Sequence, residues 1–301
     1  MRVTIGIAVA ALAGGGCDRT PAVLVDGAPA DDPVDARVEA PACAAPALTL
    51  PGDTPDVWAI ATAADGTTYL GLDGARRRIG RWAPGSAQAD PGWLRLEGDP
   101  WVWALAVHPV SGRLLVATDA GLWEVDAATA PRATLLAPGA IRTVTVGPDH
   151  EIYFTSSAAG ERVVRWTPAG VVPVTTTGFG EPSDLMFDDD GTLLVTALLS
   201  GLHRVTLGGD KVETGASLLL DVSPERIGAL GRDDDGRYYL GFQLGDGVQR
   251  YDHDLGHREP ILVAGAVRDL AFARGFLGCT TLHVALAADV RAVPVGVAGL
   301  P

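Results

Sequence analysis

The chain repeats itself six times at a spacing of about forty residues, and a period of that length restricts the fold more than any other feature of the sequence. The copies open at "DVWAIATAADGTTYLGL", "WVWALAVHPVSGRLLVAT", "IRTVTVGPDHEIYFTSS", "PSDLMFDDDGTLLVTAL", "RIGALGRDDDGRYYLGF" and "VRDLAFARGFLGCTTLHVAL". Each gives an alternating apolar strand, a tight turn, a second strand, a Gly-bearing loop, a third strand and another turn. The turn glycines or their equivalents fall at Gly66, Gly112, His150, Gly191, Gly236 and Gly278. Several strands per copy at this period are the signature of a β-propeller, because a lone four-stranded sheet cannot bury both faces and must pack against its neighbours until a ring closes. The expected fold is therefore all-β: a six-bladed β-propeller of four-stranded antiparallel blades over residues 46–301. The chain ends soon after the third strand of the last copy, so "PALTL", Pro46–Leu50, is the expected N-terminal strand that completes that blade and removes an exposed edge.

Composition agrees with this reading. Of 301 residues, 47% are hydrophobic, enough for a large core, while 38 Gly and 21 Pro favour turns over long helices. A net charge of -14 opposes binding to a phosphate backbone, so no nucleic-acid partner is expected. Lys211 is the only lysine, and asparagine is absent.

"MRVTIGIAVAALAGGGC" has the layout of a signal peptide: Arg2, an apolar run from Val3 to Ala13, then small residues before Cys17. The run is shorter than the roughly 20 apolar residues a membrane span needs. Its end resembles a bacterial lipobox, which implies cleavage after residue 16 and acylation of Cys17. Gly14, Gly15 and Gly16 stand where that pattern has Leu at its start, so an ordinary secretory signal with unmodified Cys17 stays open. Residues 18–45, rich in Pro, Ala and Asp, read as a tether. The expectation is an exported protein of the cell envelope, lipid-anchored to a bacterial membrane. Cys43 and Cys279 then remain as an even pair in an oxidising compartment, where they form either a disulfide across the ring's seam or two free thiols.

Two acidic runs invite a metal reading. Asp188–Asp190 precede Gly191, and Asp233–Asp235 precede Gly236, both at the hairpin between first and second strands. Asp-Gly is favoured in such turns where the central residues take positive φ, whereas calcium needs six to eight converging oxygens, so the runs read as structural turns. "DHDLGH", Asp252–His257, has histidine spacing suited to zinc on a helix, but it sits between strands and also reads as a turn. No G-x-S-x-G elbow, H-E-x-x-H, P-loop or C-x-x-C appears.

The repeated "P-x-x-L-x-x-D-x-D-G-x-L-x-V" followed by "G-x-x-R-V" resembles the senescence-marker-protein, gluconolactonase and regucalcin-like propellers, and more loosely the NHL-repeat proteins. That resemblance implies a divalent metal in the central channel, held by Glu, Asn and Asp near the starts of the innermost strands, where it would polarise a lactone carbonyl. Aligning the copies puts Trp58, Trp103, Arg142, Ser183, Gly228 and Arg268 at the ligand-bearing position, none of them a carboxylate or amide. Asp184, Glu225 and Asp269 lie nearby. The expected channel-mouth set is Trp58, Trp103, Arg142, Ser183, Asp184 and Arg268, suited to a sugar or an anionic aromatic ligand through stacking and charge-assisted hydrogen bonds. The tryptophans filling the taper between inner strands is the competing structural role. The functional expectation is a membrane-tethered propeller that binds a small ligand or protein partner, leaning away from catalysis and needing no cofactor. The alternative is a metal-dependent, gluconolactonase-like lactone hydrolase with an atypical site, using a divalent metal such as calcium or zinc.

Overall fold

Strands form here because β-branched and other large apolar residues alternate over five or six positions between glycine-containing turns. The computed structural model of the chain describes residues 56–73, 77–127, 130–262, 265–272, 281–286 and 289–295. Blade one comprises β1 (Val57–Thr62), β2 (Thr68–Leu72), β3 (Arg78–Trp82) and β4 (Asp90–Leu94). Blade two is β5 (Val102–Val107), β6 (Leu114–Thr118), β7 (Gly121–Asp126) and β8 (Arg132–Pro138). Blade three is β9 (Ile141–Val146), β10 (Ile152–Ser156), β11 (Arg162–Thr167) and β12 (Gly170–Pro173). Blade four is β13 (Pro182–Phe187), β14 (Leu193–Ala197), β15 (Gly201–Leu207) and β16 (Glu213–Leu220). Blade five is β17 (Ile227–Arg232), β18 (Tyr238–Phe242), β19 (Val248–Tyr251) and β20 (Arg258–Leu262). Blade six contributes β21 (Val267–Phe272), β22 (Thr281–Leu286) and β23 (Val290–Pro294). Each blade is an antiparallel meander in chain order, and among the described residues the last has three strands.

The first strands β1, β5, β9, β13, β17 and β21 approach one another in that order, and β21 returns to β1, so they line a closed central channel. The core divides into six apolar clusters, one at each seam between adjacent blades. On blade one, Ile60 and Leu70 face blade six, while Ala59 and Tyr69 face blade two. That is the period-2 alternation of a sheet buried on both sides. The second strands β2, β6, β14, β18 and β22 are buried at every position.

The hairpins between first and second strands correct one detail of the sequence reading. Gly66, Gly112, His150, Gly191 and Gly236 all take positive φ, His150 at 63° without glycine's freedom. The aspartates before them do not. Gly66 N–H donates to the Ala63 carbonyl (2.9 Å) and Ala63 N–H to the Thr67 carbonyl (2.8 Å), a type I turn closed by a left-handed residue. Asp is favoured because its carboxylate accepts a nearby amide: Asp65 Oδ1 from Thr67 N–H (2.8 Å), Asp190 Oδ1 from Thr192 N–H (2.9 Å). The acidic runs are also matched by cations, with Arg232 Nη1 at 2.8 Å from both Asp188 and Asp189, and Arg237 Nε at 2.8 Å from Asp233. "DHDLGH" is likewise a turn, joining β19 to β20 with Leu255 at φ 62°.

Cys17, Cys43, Cys279, Gly278, the tether and the expected closing strand at Pro46–Leu50 lie outside the described residues. No helix among the described residues is long and apolar enough to cross a membrane.

Candidate functional site

An innermost strand has one edge with no partner strand, and in a propeller that edge faces the axis, where its amides and side chains meet whatever enters the channel. Each of the six carries a β-bulge at the aligned position. Val57 pairs with Leu72 and Ala59 with Gly71, so Trp58 is the extra residue. The same break isolates Trp103, Ser183, Gly228 and Arg268, and in β9 it falls within Arg142–Thr143. A bulge bends the strand and re-aims the extra side chain. Six bulges at equivalent places therefore turn the side chains they carry, all but Gly228 having one, towards one end of the channel.

Four of these six form a continuous wall across blades six, one, two and three. The Arg268 guanidinium lies 4.0 Å from the Trp58 ring centre, Trp58 meets Trp103 edge to face at 5.8 Å, and Arg142 covers Trp103 at 5.3 Å. The other two bulges are small. Ser183 Oγ donates to the Ile227 carbonyl at 2.7 Å and shares a hydrogen bond with Thr196 Oγ1 at 3.0 Å. At Gly228 an added β-carbon would sit 2.7 Å from the Val267 carbonyl oxygen, so the close approach of blade six requires glycine.

Trp101 and Arg77 belong to the same wall and escaped the sequence reading. Trp101 stacks on Trp103 (5.3 Å, 19° between planes), meets Trp58 at 5.4 Å, and carries Arg77 over its own ring at 4.9 Å. The signal was the "W-V-W" spacing, since residues two apart on an extended chain share a face. Asp119 holds this corner: its Oδ1 accepts from Trp101 N–H at 2.8 Å, and its Oδ2 lies 3.8 Å from Arg77.

Beside the wall stand two half-buried carboxylates on the inner strands of blades four and six. Asp184 accepts from Leu185 N–H (2.8 Å) and, across the seam, from Leu230 N–H of blade five (2.7 Å). Asp269 repeats the arrangement, accepting from Leu270 N–H (2.8 Å) and from Ile60 N–H of blade one (2.8 Å). Each satisfies an otherwise unpaired amide on the neighbour's axial edge. Desolvation pushes Asp184 up to about 7 against the pull of its two amide donors. Desolvation also lifts Asp269 well above the usual carboxylate range, and repulsion from Asp184 adds to it. The matching "S-D-L" and "R-D-L" at residues 183–185 and 268–270 were the signal for pairing them.

Glu225 does not join these carboxylates; it is drawn to Arg258 at 3.4 Å. Among the described residues no three His, Cys, Asp or Glu side chains gather to hold a metal, and the bulged positions present guanidinium and indole donors instead. This donor set does not fit a divalent cation. The groove of about 260 Å3 lined by His108, His150, Glu151 and Trp166 lies at the hairpin end of blades two and three, away from the bulges. Its His108 is stapled there, with Nδ1 accepting from Val110 and Ser111 amides at 3.3 Å and Nε2 facing the His150 carbonyl at 3.0 Å.

The class defined by this architecture is a six-bladed β-propeller with a bulged, side-chain-rich channel mouth. The fold is shared with solved gluconolactonase and regucalcin propellers. A gluconolactonase from Xanthomonas campestris aligns at TM-score 0.66 with 18% identity over 80% of this chain and 87% of that one. Regucalcin from Agrobacterium tumefaciens strain C58, a calcium-binding protein, aligns at 0.66 with 19% identity over 82% and 93%. A virginiamycin B lyase from Staphylococcus aureus aligns at 0.56 with 17% identity over 83% and 87%. The sequence itself matches no protein-family model and no curated protein.

Proposed function

We propose that the chain binds a lactone-class ligand at the bulged end of the channel and hydrolyses its ester to the hydroxy acid. The observation that carries this is the Asp184–Asp269 pair, two inner-strand carboxylates pushed up in pKa by desolvation, each the residue after a bulged position of its strand. A carboxylate raised to about 7, as Asp184 is, with a second one lifted well above the usual range beside it, is the equipment of acid–base catalysis. A carboxylate has about four lone-pair sites, so each Asp keeps acceptor capacity beyond its two amide partners. In this reading Asp184 takes the proton of the attacking water, the protonated member of the pair returns one to the leaving ring oxygen, and Arg268 and Arg142 face the oxyanion. The gluconolactonase among the structural neighbours supports the choice of cyclic esters. With no fitting donor set for a cation, no step is routed through a metal.

Binding without turnover is the second reading, favoured by the backbone amides that already engage both carboxylates. A lactone-hydrolysis assay on the purified chain, with and without calcium, zinc or manganese, separates the two. The hydrolase reading requires turnover that falls by about 100-fold or more in Asp184→Ala, the scale of a lost general base. No turnover of sugar lactones under any of these conditions leaves binding alone. For residues 1–45 we retain export and a lipid on Cys17, tested by radioactive fatty-acid labelling; an unlabelled mature protein refutes the anchor.

A further inference from the structure

Three buried donors in the channel-mouth wall have no acceptor: the indole N–H of Trp58, the indole N–H of Trp101 and Nε–H of Arg268. They share one cluster, with the two rings 5.4 Å apart and the guanidinium 4.0 Å from Trp58. An unpaired buried donor costs about 1–3 kcal/mol, and folded proteins pair nearly all of them. An unpaired Nε–H recurs at Arg78, Arg165, Arg204 and Arg232, so the two indole N–H groups are the distinctive donors, and acceptors arriving with a ligand would satisfy them together with Arg268.

The ring faces narrow its chemistry. Trp101 lies against Trp103 on one side, and Arg77, Arg142 and Arg268 cover Trp101, Trp103 and Trp58. Little ring face is left for a stacked sugar, so recognition falls to the N–H edges and the charge. Asp119 answers part of that charge through Arg77, and Asp269 is turned to the amides of Ile60 and Leu270. Among the described residues Arg142 and Arg268 form no ion pair. A wall rich in donors, positively charged and poor in acceptors suits an oxyanion better than a cation or a neutral polyol.

We propose that Trp58, Trp101 and Arg268 form a carboxylate subsite that holds the acid end of an open-chain hydroxy acid, the product side of the reaction above. The inference rests on the channel mouth being the ligand face, and it names the group recognised there.

Tryptophan fluorescence titration tests it, with gluconate as probe and glucitol, the same carbon skeleton without the carboxylate, as control. Gluconate gives a saturable change that weakens with salt, and glucitol gives none. Arg268→Gln and Trp101→Phe, the latter keeping a ring but losing its N–H, each weaken gluconate by about tenfold, the scale of one charge-assisted hydrogen bond. Should Arg268→Gln not fold, Trp101→Phe and the glucitol control decide alone. A benzoate arm tests the source of the carboxylate: a response to benzoate but not gluconate overturns the hydroxy-acid assignment. Silence from both acids, an equal response to glucitol, or unchanged affinity in the folded variants overturns the proposal. Carboxylate binding without lactone turnover sinks the hydrolase reading alone, and turnover without carboxylate binding sinks this one alone.

Discussion

Asp184 carries a sign that can be measured. Its folded pKa, raised to about 7 by desolvation, stands above the roughly 3.9 of an unfolded aspartate, so the native state holds more protons across that interval. Its contribution to stability is complete below about pH 4 and is lost as pH rises through 7. Buried His283 works in the opposite sense: both ring nitrogens lack partners, and desolvation drives it down to about 4, so it costs stability as pH falls below about 6.5. The two overlap between pH 4 and 6.5, and the clean reading is above that, where melting temperature should fall between pH 6.5 and 8.5. Asp269 contributes to the same fall, so in Asp184→Asn the fall should lessen, both because Asp184 no longer titrates and because Asp269 loses the repulsion that helps raise it. The variant should also be less stable at pH 5, where Asp184 is the neutral acid, because its NH2 group faces an amide donor that an oxygen of the carboxyl group, hydroxyl or carbonyl, could accept from. Thermal unfolding of both proteins at four pH values checks this; parallel curves would show that Asp184 titrates as an ordinary carboxylate.

At the scale of the element, the hairpins separate members of the acidic runs that look alike in sequence. Asp233 is fully buried and accepts from Asp235 N–H (3.0 Å), Arg237 N–H (2.9 Å), Arg237 Nε (2.8 Å) and Tyr239 Oη (3.0 Å). Asp234, one residue on, is exposed. Removing a buried charge partner strands the groups around it, so Asp233→Ala should cost about 3–5 kcal/mol, whereas Asp234→Ala should stay within about 0.5 kcal/mol. Denaturant unfolding of the two variants reads the difference directly, and similar midpoints would contradict it. The strands, their order and the hairpin positions were legible in the sequence because period-2 alternation and turn residues are local signals. The bulges made the alignment of Trp58, Trp103, Arg142, Ser183, Gly228 and Arg268 meaningful, and that too was readable by counting from the turns. What could not be read was which neighbours each side chain meets across a seam. Trp101 sits just outside β5, and Asp269 pairs with an amide more than two hundred residues away in sequence. Glu225 looked like a third carboxylate for the site until Arg258, at the start of β20, claimed it.

At the scale of the molecule, a ring has one seam that the chain does not cross consecutively, between blades six and one. Its described side is held by the apolar cluster of Val57, Ile60, Leu70, Leu72 and Trp82 against Ala285 and Val290, and by the Asp269 bond to Ile60 N–H. The same carboxylate-to-amide tie recurs at one other seam, from Asp184 to Leu230. At the matching places, β1, β5 and β17 carry Ala59, Ala104 and Ala229, so those seams rely on apolar packing without it. Among the described residues no chain segment crosses the closing seam, so its polar tie counts for more there than an equivalent one elsewhere in the ring. Asp269→Ala leaves the Ile60 amide without an acceptor at a cost of about 1–3 kcal/mol, equivalent to about 5- to 150-fold in a local opening equilibrium. Native-state hydrogen exchange should show the Ile60 amide accelerating in that range while amides inside blade three hold their rates. If Cys43 and Cys279 are joined, as the sequence suggests, reduction should accelerate the same amides further, and a Cys43→Ala background should abolish that second step. Exchange that rises uniformly around the ring would instead mean that the blades open as one unit and that the last seam is no weaker than the rest.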